Sequence, residues 1–269
     1  MLALIAAGLA GSASVEAAPA RPAVEQSAPC LLALPDQALA YFPAASRRAT
    51  GPAPIIVLLH GGGSNPREII DRFADEADSR DLILLAPAST GVTWDSVRRA
   101  YRVTMLGSSG KLDGFYEFKE TPDSLRVEAA IAELAKHVEL ERARSVLAGF
   151  SDGAGFALAL GMSSDHPFAA VMAFSPGVWI PVAKRARGRV ALVAHGRGDK
   201  RLLYDFTSEV ILQGLKRQDA EVTFRPFDGG HEIPDRVLTE FLDHSFGARR
   251  RPLVHGELAR AMECEDRAG

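Results

Sequence analysis

Ser151 stands between two glycines in Gly149-Phe150-Ser151-Asp152-Gly153, directly after the apolar run Ser145-Val146-Leu147-Ala148 and before small residues from Ala154 to Met162. A serine at the centre of G-x-S-x-G, between a strand and a helix, is the sharp turn that exposes a nucleophile. Only small residues fit beside so tight a turn, and the amide after the serine lies at the positive end of the helix. Five residues in a Gly-rich chain say little alone. Their company says more, because His60-Gly61-Gly62-Gly63 precedes them and Asp199 and Gly229-Gly230-His231 follow. The chemistry open to such a set is acyl transfer through a serine.

A hydroxyl is a poor nucleophile near neutral pH and needs a base within hydrogen-bond reach. Of the seven histidines, His231 follows a predicted strand through a flexible Asp-Gly-Gly turn and is the candidate base. His137 and His244 fall in helical stretches, His166 in a loop and His255 in the tail. His60 and His195 end strands and precede glycine, a position that suits pinning a loop better than exchanging protons. Asp199, in His195-Gly196-Arg197-Gly198-Asp199, is the candidate acceptor that fixes the tautomer of the base. Its rival Asp228 reads as a solvated turn residue, and Asp152 points away from the nucleophile. The oxyanion donors expected are the amides of Gly62 and Asp152, with Gly61 the second choice in the first loop. No metal-ligand spacing and no GxGxxG fingerprint occurs, so neither a metal nor a cofactor is expected. Phosphate binding at Gly61-Gly62-Gly63 is a weak alternative.

The elements that must position these residues alternate in type. Leu39–Phe42 is a candidate early strand. Ile55–Leu59 and Leu82–Ala86 are continuous apolar runs of the kind buried on both faces. Val146–Phe150, Ala169–Phe174, Val190–Ala194 and Val222–Phe227 read as further strands. Helices are expected from Pro66 to about Arg80, Asp123 to about Val138, Tyr204 to Gln218, and Pro234 to about Phe246. Residues 88–122 read as a long aromatic-rich excursion that either lines an acyl pocket or packs on the sheet. The alternation predicts a mostly parallel sheet with helices on both faces, whose ligand lies beyond the carboxyl ends of the strands. His60, Ser151, Asp199 and His231 all follow predicted strands, so they converge on one edge.

The chain has 269 residues, 47% hydrophobic and 24% charged, with a formal net charge of −3. This is an ordinary globular balance that gives no reason to expect nucleic-acid binding, and Arg249-Arg250-Arg251 reads as a solvated tail feature. One domain is expected over residues 30–247, followed by a tail of unassigned role at 248–269. Leu2 to Ala10 is almost wholly apolar yet too short to span a bilayer, so residues 1–20 read as a signal peptide and the protein as exported. No Lys or Arg precedes that run, which leaves an atypical leader, a misplaced start and a frayed N-terminus as readings. If the segment is no signal peptide, the protein is cytoplasmic.

From about Ile55 to Phe246 the chain resembles the α/β-hydrolase superfamily, and within it the small carboxylesterase/phospholipase branch. The stretches that carry the resemblance are Leu58-Leu59-His60-Gly61-Gly62-Gly63, Thr93-Trp94-Asp95, Ala148 to Ala154, Ala173-Phe174-Ser175-Pro176-Gly177, His195 to Asp199, and Phe227 to Glu232. The resemblance implies a single-domain α/β-hydrolase fold and maps Ser151, Asp199 and His231 onto nucleophile, acid and base. It also implies hydrolysis of small-molecule carboxylic esters, sometimes thioesters or lysophospholipids. One stretch departs: after the acid, Lys200-Arg201-Leu202-Leu203 replaces a common apolar-Pro pair. A catalytically silent ligand-binding module and a serine peptidase on the same fold are the alternatives.

The two cysteines, Cys30 and Cys264, lie near the ends of the expected mature chain, as a bridge tying the termini would require in an exported protein. Thiol titration of the denatured, unreduced protein should then find no free thiol; finding two excludes the bridge.

Overall fold

A computed structural model of the chain describes residues 29–46, 51–105, 121–163, 168–182, 188–248 and 262–263. The signal-peptide reading of residues 1–20 falls outside the described residues, as do Phe115, Tyr116, Phe118, His166, His255 and Cys264. Among the described residues nine strands form one sheet: β1 (Cys30–Ala33), β2 (Leu39–Phe42), β3 (Ile55–Leu59), β4 (Ile83–Ala86), β5 (Val146–Phe150), β6 (Ala170–Phe174), β7 (Val190–Gly196), β8 (Glu221–Phe227) and β9 (Met262–Glu263). Their order is β8-β7-β6-β5-β3-β4-β2-β1-β9. β2 runs antiparallel to both β1 and β4, and every other pair is parallel. The mostly parallel sheet expected from the strand–helix alternation is therefore present.

Burial explains which residues make which strands. β3, β4 and β6 are buried at every position, as two-sided coverage by helices demands. Along β3, Ile55, Val57 and Leu59 enter one apolar cluster while Ile56 and Leu58 enter the other. On the second face lie α1 (Pro66–Arg80), through Ile69, Ile70, Phe73, Ala74 and Ala77, and α6 (Asp235–Phe246), through Val237, Leu238, Phe241 and Leu242. The first face is covered by α2 (Asp95–Met105), α3 (Pro122–Leu134), α4 (Asp152–Met162) and α5 (Leu212–Arg217). β8 is an edge strand, which is why Pro226 is tolerated inside it. None of the helices described is long and apolar enough to cross a membrane.

Four features differ from the sequence reading. β1 was not expected, because four apolar residues after Pro29 carry no strand signal until β2 pairs with them. Residues 262–263 of the tail join the sheet, with Cys30 and Leu31 opposite Met262 and Glu263. Cys30 of β1 is disulfide-bonded, in agreement with the expected bridge and not one of the four differences. The helix expected from Tyr204 begins as a π turn over Phe206–Ile211 before α5.

The fourth difference is α2, inside the stretch taken for a long excursion. Its start is fixed by side chains distant in sequence. Asp123, wholly buried, accepts hydrogen bonds from the amides of Thr90 and Asp95, and Asp95 accepts from the amide of Asp123 at 3.1 Å. Two helix N-termini thus cap one another, each supplying the acceptor the other's orphan N–H needs. Thr121, not Asp123, caps α3 in the ordinary way. Replacing Asp123 by Ala removes the buried acceptor of the Thr90 and Asp95 amides, and should lower unfolding free energy by about 2 kcal/mol. Chemical denaturation measures it; a loss within 0.5 kcal/mol, roughly the scatter of surface changes, would deny the reciprocal cap its role.

Candidate active site

The carboxyl ends of β3, β5, β7 and β8 carry His60, Ser151, Asp199 and His231. Chain order turns back between β3 and β5, which lie side by side although β4 intervenes in sequence. At such a switch point the loops diverge and leave a crevice. Ser151 sits there with φ 57° and ψ −121°, a backbone state non-glycine residues rarely hold. The flanking glycines explain the motif. A Cβ on Gly149 would lie 2.2 Å from the Gly153 carbonyl, and one on Gly153 would lie 2.1 Å from the carbonyl of Leu59. The turn closes only because both are absent.

Ser151 Oγ is 2.9 Å from His231 Nε2, and His231 Nδ1 is 2.7 Å from Asp199 Oδ2. Asp199, nearly buried, also accepts from the amides of Arg201 at 2.8 Å and Leu202 at 3.0 Å on Oδ1. Burial pushes the Asp199 carboxyl up, but the Leu202 amide, His231 and the Arg201 amide together hold it below the usual carboxylate range. The stretch that departs from the common pattern, Lys200 to Leu203, thus binds the acid through its backbone. Asp228 is 99% exposed at its side chain, with Arg197 4.0 Å away, and takes no part.

The two loops that bring Asp199 and His231 together are stitched by Arg197 N to Phe227 O and Gly198 N to Gly229 O, each 2.9 Å. That continuation of the β7–β8 ladder needs Gly196, where a Cβ would meet the Gly230 carbonyl at 2.2 Å. From the other side, Arg72 on α1 donates to the Ile233 carbonyl and pairs with Asp235 at 2.6 Å. Phe150 packs its ring 4.7 Å from that of His231.

Next to Ser151 the loop after β3 turns back on itself. The Gly61 carbonyl accepts from His60 Nδ1 at 2.8 Å and from the Ser64 amide at 3.1 Å. In a trans peptide the carbonyl and the following N–H point opposite ways, so this grip turns the Gly62 N–H outward. Neither the Gly62 nor the Asp152 amide has a partner among the described residues. His60 is buried, accepts from the Ser89 amide through Nε2, and has its imidazole pushed down by burial. Its Nδ1 proton is therefore set by its neighbours, and it pins the loop as its position in the sequence implied. Trp94, wholly buried and stacked on Phe156, donates from Nε1 to the His60 carbonyl at 2.8 Å. It braces the loop from behind instead of lining a pocket.

The Asp152 side chain turns from the nucleophile, as expected, and accepts from Tyr101 at 2.9 Å. Burial and the facing carboxylate hold the Tyr101 proton on well above the ordinary phenol range. Beside Ser151 a groove of about 520 Å³ opens, lined by Gly61, Ile69, Arg72, Phe150, His231 and Ile233 among others. No set of three or more His, Cys, Asp or Glu among the described residues is arranged to hold a metal ion. Sequence reasoning missed Arg72 and Tyr101, whose partners lie far away in the chain, and the contact of His195 with Asp199, four residues on.

A sequence profile described as phospholipase/carboxylesterase matches residues 44–245. Among curated proteins no sequence matches. Of solved structures, esterase PE8 is 26% identical with a TM-score of 0.51, over 80% of this chain and 99% of its own. The Bacillus cereus carboxylesterase is 20% identical with a TM-score of 0.51, over 72% and 89%. A carboxylesterase from Mesorhizobium loti is 20% identical with a TM-score of 0.53, over 78% and 96%, and these last two likenesses speak for the fold. The profile covers most of the chain, from the turn before β3 to the end of α6. The chain belongs to the phospholipase/carboxylesterase family of α/β-hydrolase enzymes.

Proposed function

We propose that this protein hydrolyses small carboxylic esters by two-step acyl transfer, with Ser151 as nucleophile, His231 as general base and acid, and Asp199 as the group that orients it. The observation that carries the reading is the unbroken hydrogen-bond chain from Ser151 Oγ through His231 to Asp199. The esterase and carboxylesterase activities named for similar structures support it.

In the first step Ser151 Oγ bonds to the ester carbonyl carbon as its proton passes to His231 Nε2. Asp199 Oδ2 stabilises the imidazolium through Nδ1–H. The carbonyl oxygen, now negative, takes the amides of Gly62 and Asp152, two preorganised donors with no protein partner to surrender. The carbon–oxygen bond to the alcohol then breaks, and His231 returns its proton to the leaving oxygen. Water next gives a proton to His231 and attacks the acyl carbon; the Ser151 oxygen departs with that proton and the carboxylic acid is released. The alcohol leaves on the His231 side, where the groove opens.

Export through residues 1–20 belongs to the same reading. It is supported by the bonded state of Cys30, since disulfides persist in oxidising compartments.

A fluorophosphonate probe should label the parent at Ser151 and not Ser151→Ala, and that variant should lose at least about a thousandfold in kcat. Near-parental hydrolysis of p-nitrophenyl esters by Ser151→Ala overturns the assignment; folded parent that neither labels nor turns over points to a silent binding module. Turnover of amides as fast as matched esters would point to a peptidase.

The pH dependence has a definite sign. Asp199 is held below the usual carboxylate range, so it stays ionised as pH falls through mild acidity, and its contribution to stability is lost only lower, through its folded value. Loss of activity on the acid side is then the uptake of one proton by His231, with unit slope. A rate flat from pH 5 to 8, with binding and stability unchanged, would exclude His231 as the base.

A further inference from the structure

His195 closes β7 and is wholly buried. Its Nε2 lies 3.1 Å from Asp199 Oδ2 and 3.0 Å from the Leu202 carbonyl. Both are acceptors, so Nε2 must carry a proton. Its Nδ1 lies 2.8 Å from Thr207 Oγ1, which is also 2.9 Å from the Pro176 carbonyl. Burial pushes the imidazole down from its ordinary value, against the pull of the Leu202 carbonyl and Asp199. A neutral ring then has its one proton on Nε2, facing the Leu202 carbonyl and Asp199 Oδ2. Thr207 is also wholly buried and is carried by the π turn that precedes α5. Such turns concentrate at functional sites because they re-aim one side chain.

Asp199 Oδ2 is therefore shared by two imidazoles. His231 Nδ1 approaches at 2.7 Å and His195 Nε2 at 3.1 Å, while Oδ1 is held by the two amides. We propose that His195 is a positioning residue for the triad: its Nε2–H, held between the Leu202 carbonyl and Asp199 Oδ2, fixes the Asp199 carboxylate and divides the charge that His231 feels. The inference rests on the triad reading above. A carboxylate oxygen with two donors is a weaker attractor for either of them. Without His195, Oδ2 would face His231 alone, bind its imidazolium more strongly, and leave more of the base protonated near neutrality. The arrangement keeps the base free to accept the proton of Ser151.

Other charges near these rings stay the same when His195 alone is changed. Tyr204 lies edge-on to His195 with Arg197 over its far face. On the open side of His231 stand Glu232, Glu68 and the Arg72–Asp235 pair, with Asp228 on the turn before it.

The test titrates the histidine rings of the full chain by long-range proton–nitrogen NMR, comparing the parent with His195→Leu and His195→Gln. The glutamine returns an N–H near the place of Nε2, and His231→Asn identifies the His231 signal. We expect the His231 midpoint to rise by about half a pH unit or more in His195→Leu and to move back towards the parent in His195→Gln. A half-unit rise removes up to about threefold of the neutral base, so kcat/KM for a p-nitrophenyl ester at pH 7 should fall by about that factor in the first and recover in the second. A residue that merely fills the core would lower activity in both and leave the midpoint in place, and that result overturns the proposal. Should His195→Leu fail to fold, His195→Asn takes its place, because its amide reaches the Nδ1 position and not that of Nε2; the same rise is expected and an unmoved midpoint is again decisive against it. The NMR readout needs no turnover. If the parent does not label at Ser151, the hydrolase reading fails by itself; if it labels and the midpoint does not move, only the role of His195 falls.

Discussion

The turn after β5 has no room for a side chain at Gly149 or Gly153, because backbone carbonyls stand about 2 Å from where either Cβ would be. That closeness sets the rest. It presses the start of α4 against the end of β3, so the loop that carries Gly62 lies beside Ser151. It also forces Ser151 to a positive φ, which lifts Oγ off the sheet and into reach of His231. The strain of that conformation, of order 1–3 kcal/mol, persists only because strands on both sides fix it. Ser151 N donates to Phe174 O on the neighbouring strand, and Ser175 N to Ala194 O on the next. The sheet holds the elbow in place by its own hydrogen bonding, carried one residue past each strand end.

Around this fixed point the structure spends histidines in three ways. His231 faces Ser151 and the groove. His60 holds a peptide plane, and His195 holds a carboxylate. The last two are buried, and burial favours their neutral forms. A neutral imidazole has one donor and one acceptor, so each ring orients two groups at once without adding charge beside the nucleophile.

Much of this was legible in the chain and some was not, for a consistent reason. The motif residues Ser151, Asp199 and His231, and the glycines beside them, are local patterns forced by local turns, and the structure brings the three side chains within hydrogen-bond distance. The central strands were legible because burial on both faces demands unbroken apolar runs such as Ile55–Leu59. What escaped notice depends on partners distant in sequence. β1 exists because β2 pairs with it, and β9 because β1 offers an edge. α2 begins where Asp123, twenty-eight residues on from Asp95, supplies its cap. The sequence leaves the aromatic-rich stretch 88–122, Trp94 included, open to a pocket lining or a packed position; only the position of the His60 carbonyl decides for the core. Arg72 looked like one more charge on an amphipathic helix until α6 came to lie beside it.

That arginine gives α1 a mechanical significance. The helix begins just after the Gly62 loop, capped by Asn65, and two turns later Arg72 grips the segment that follows His231. One rod is thus coupled at its front end to the Gly62 loop and along its flank to the segment that follows His231. A shift of the rod against the sheet would carry the Gly62 loop and the His231 segment together, and so keep their separation better than the position of either. The site is buffered against the common motion of its parts and exposed only to their relative motion.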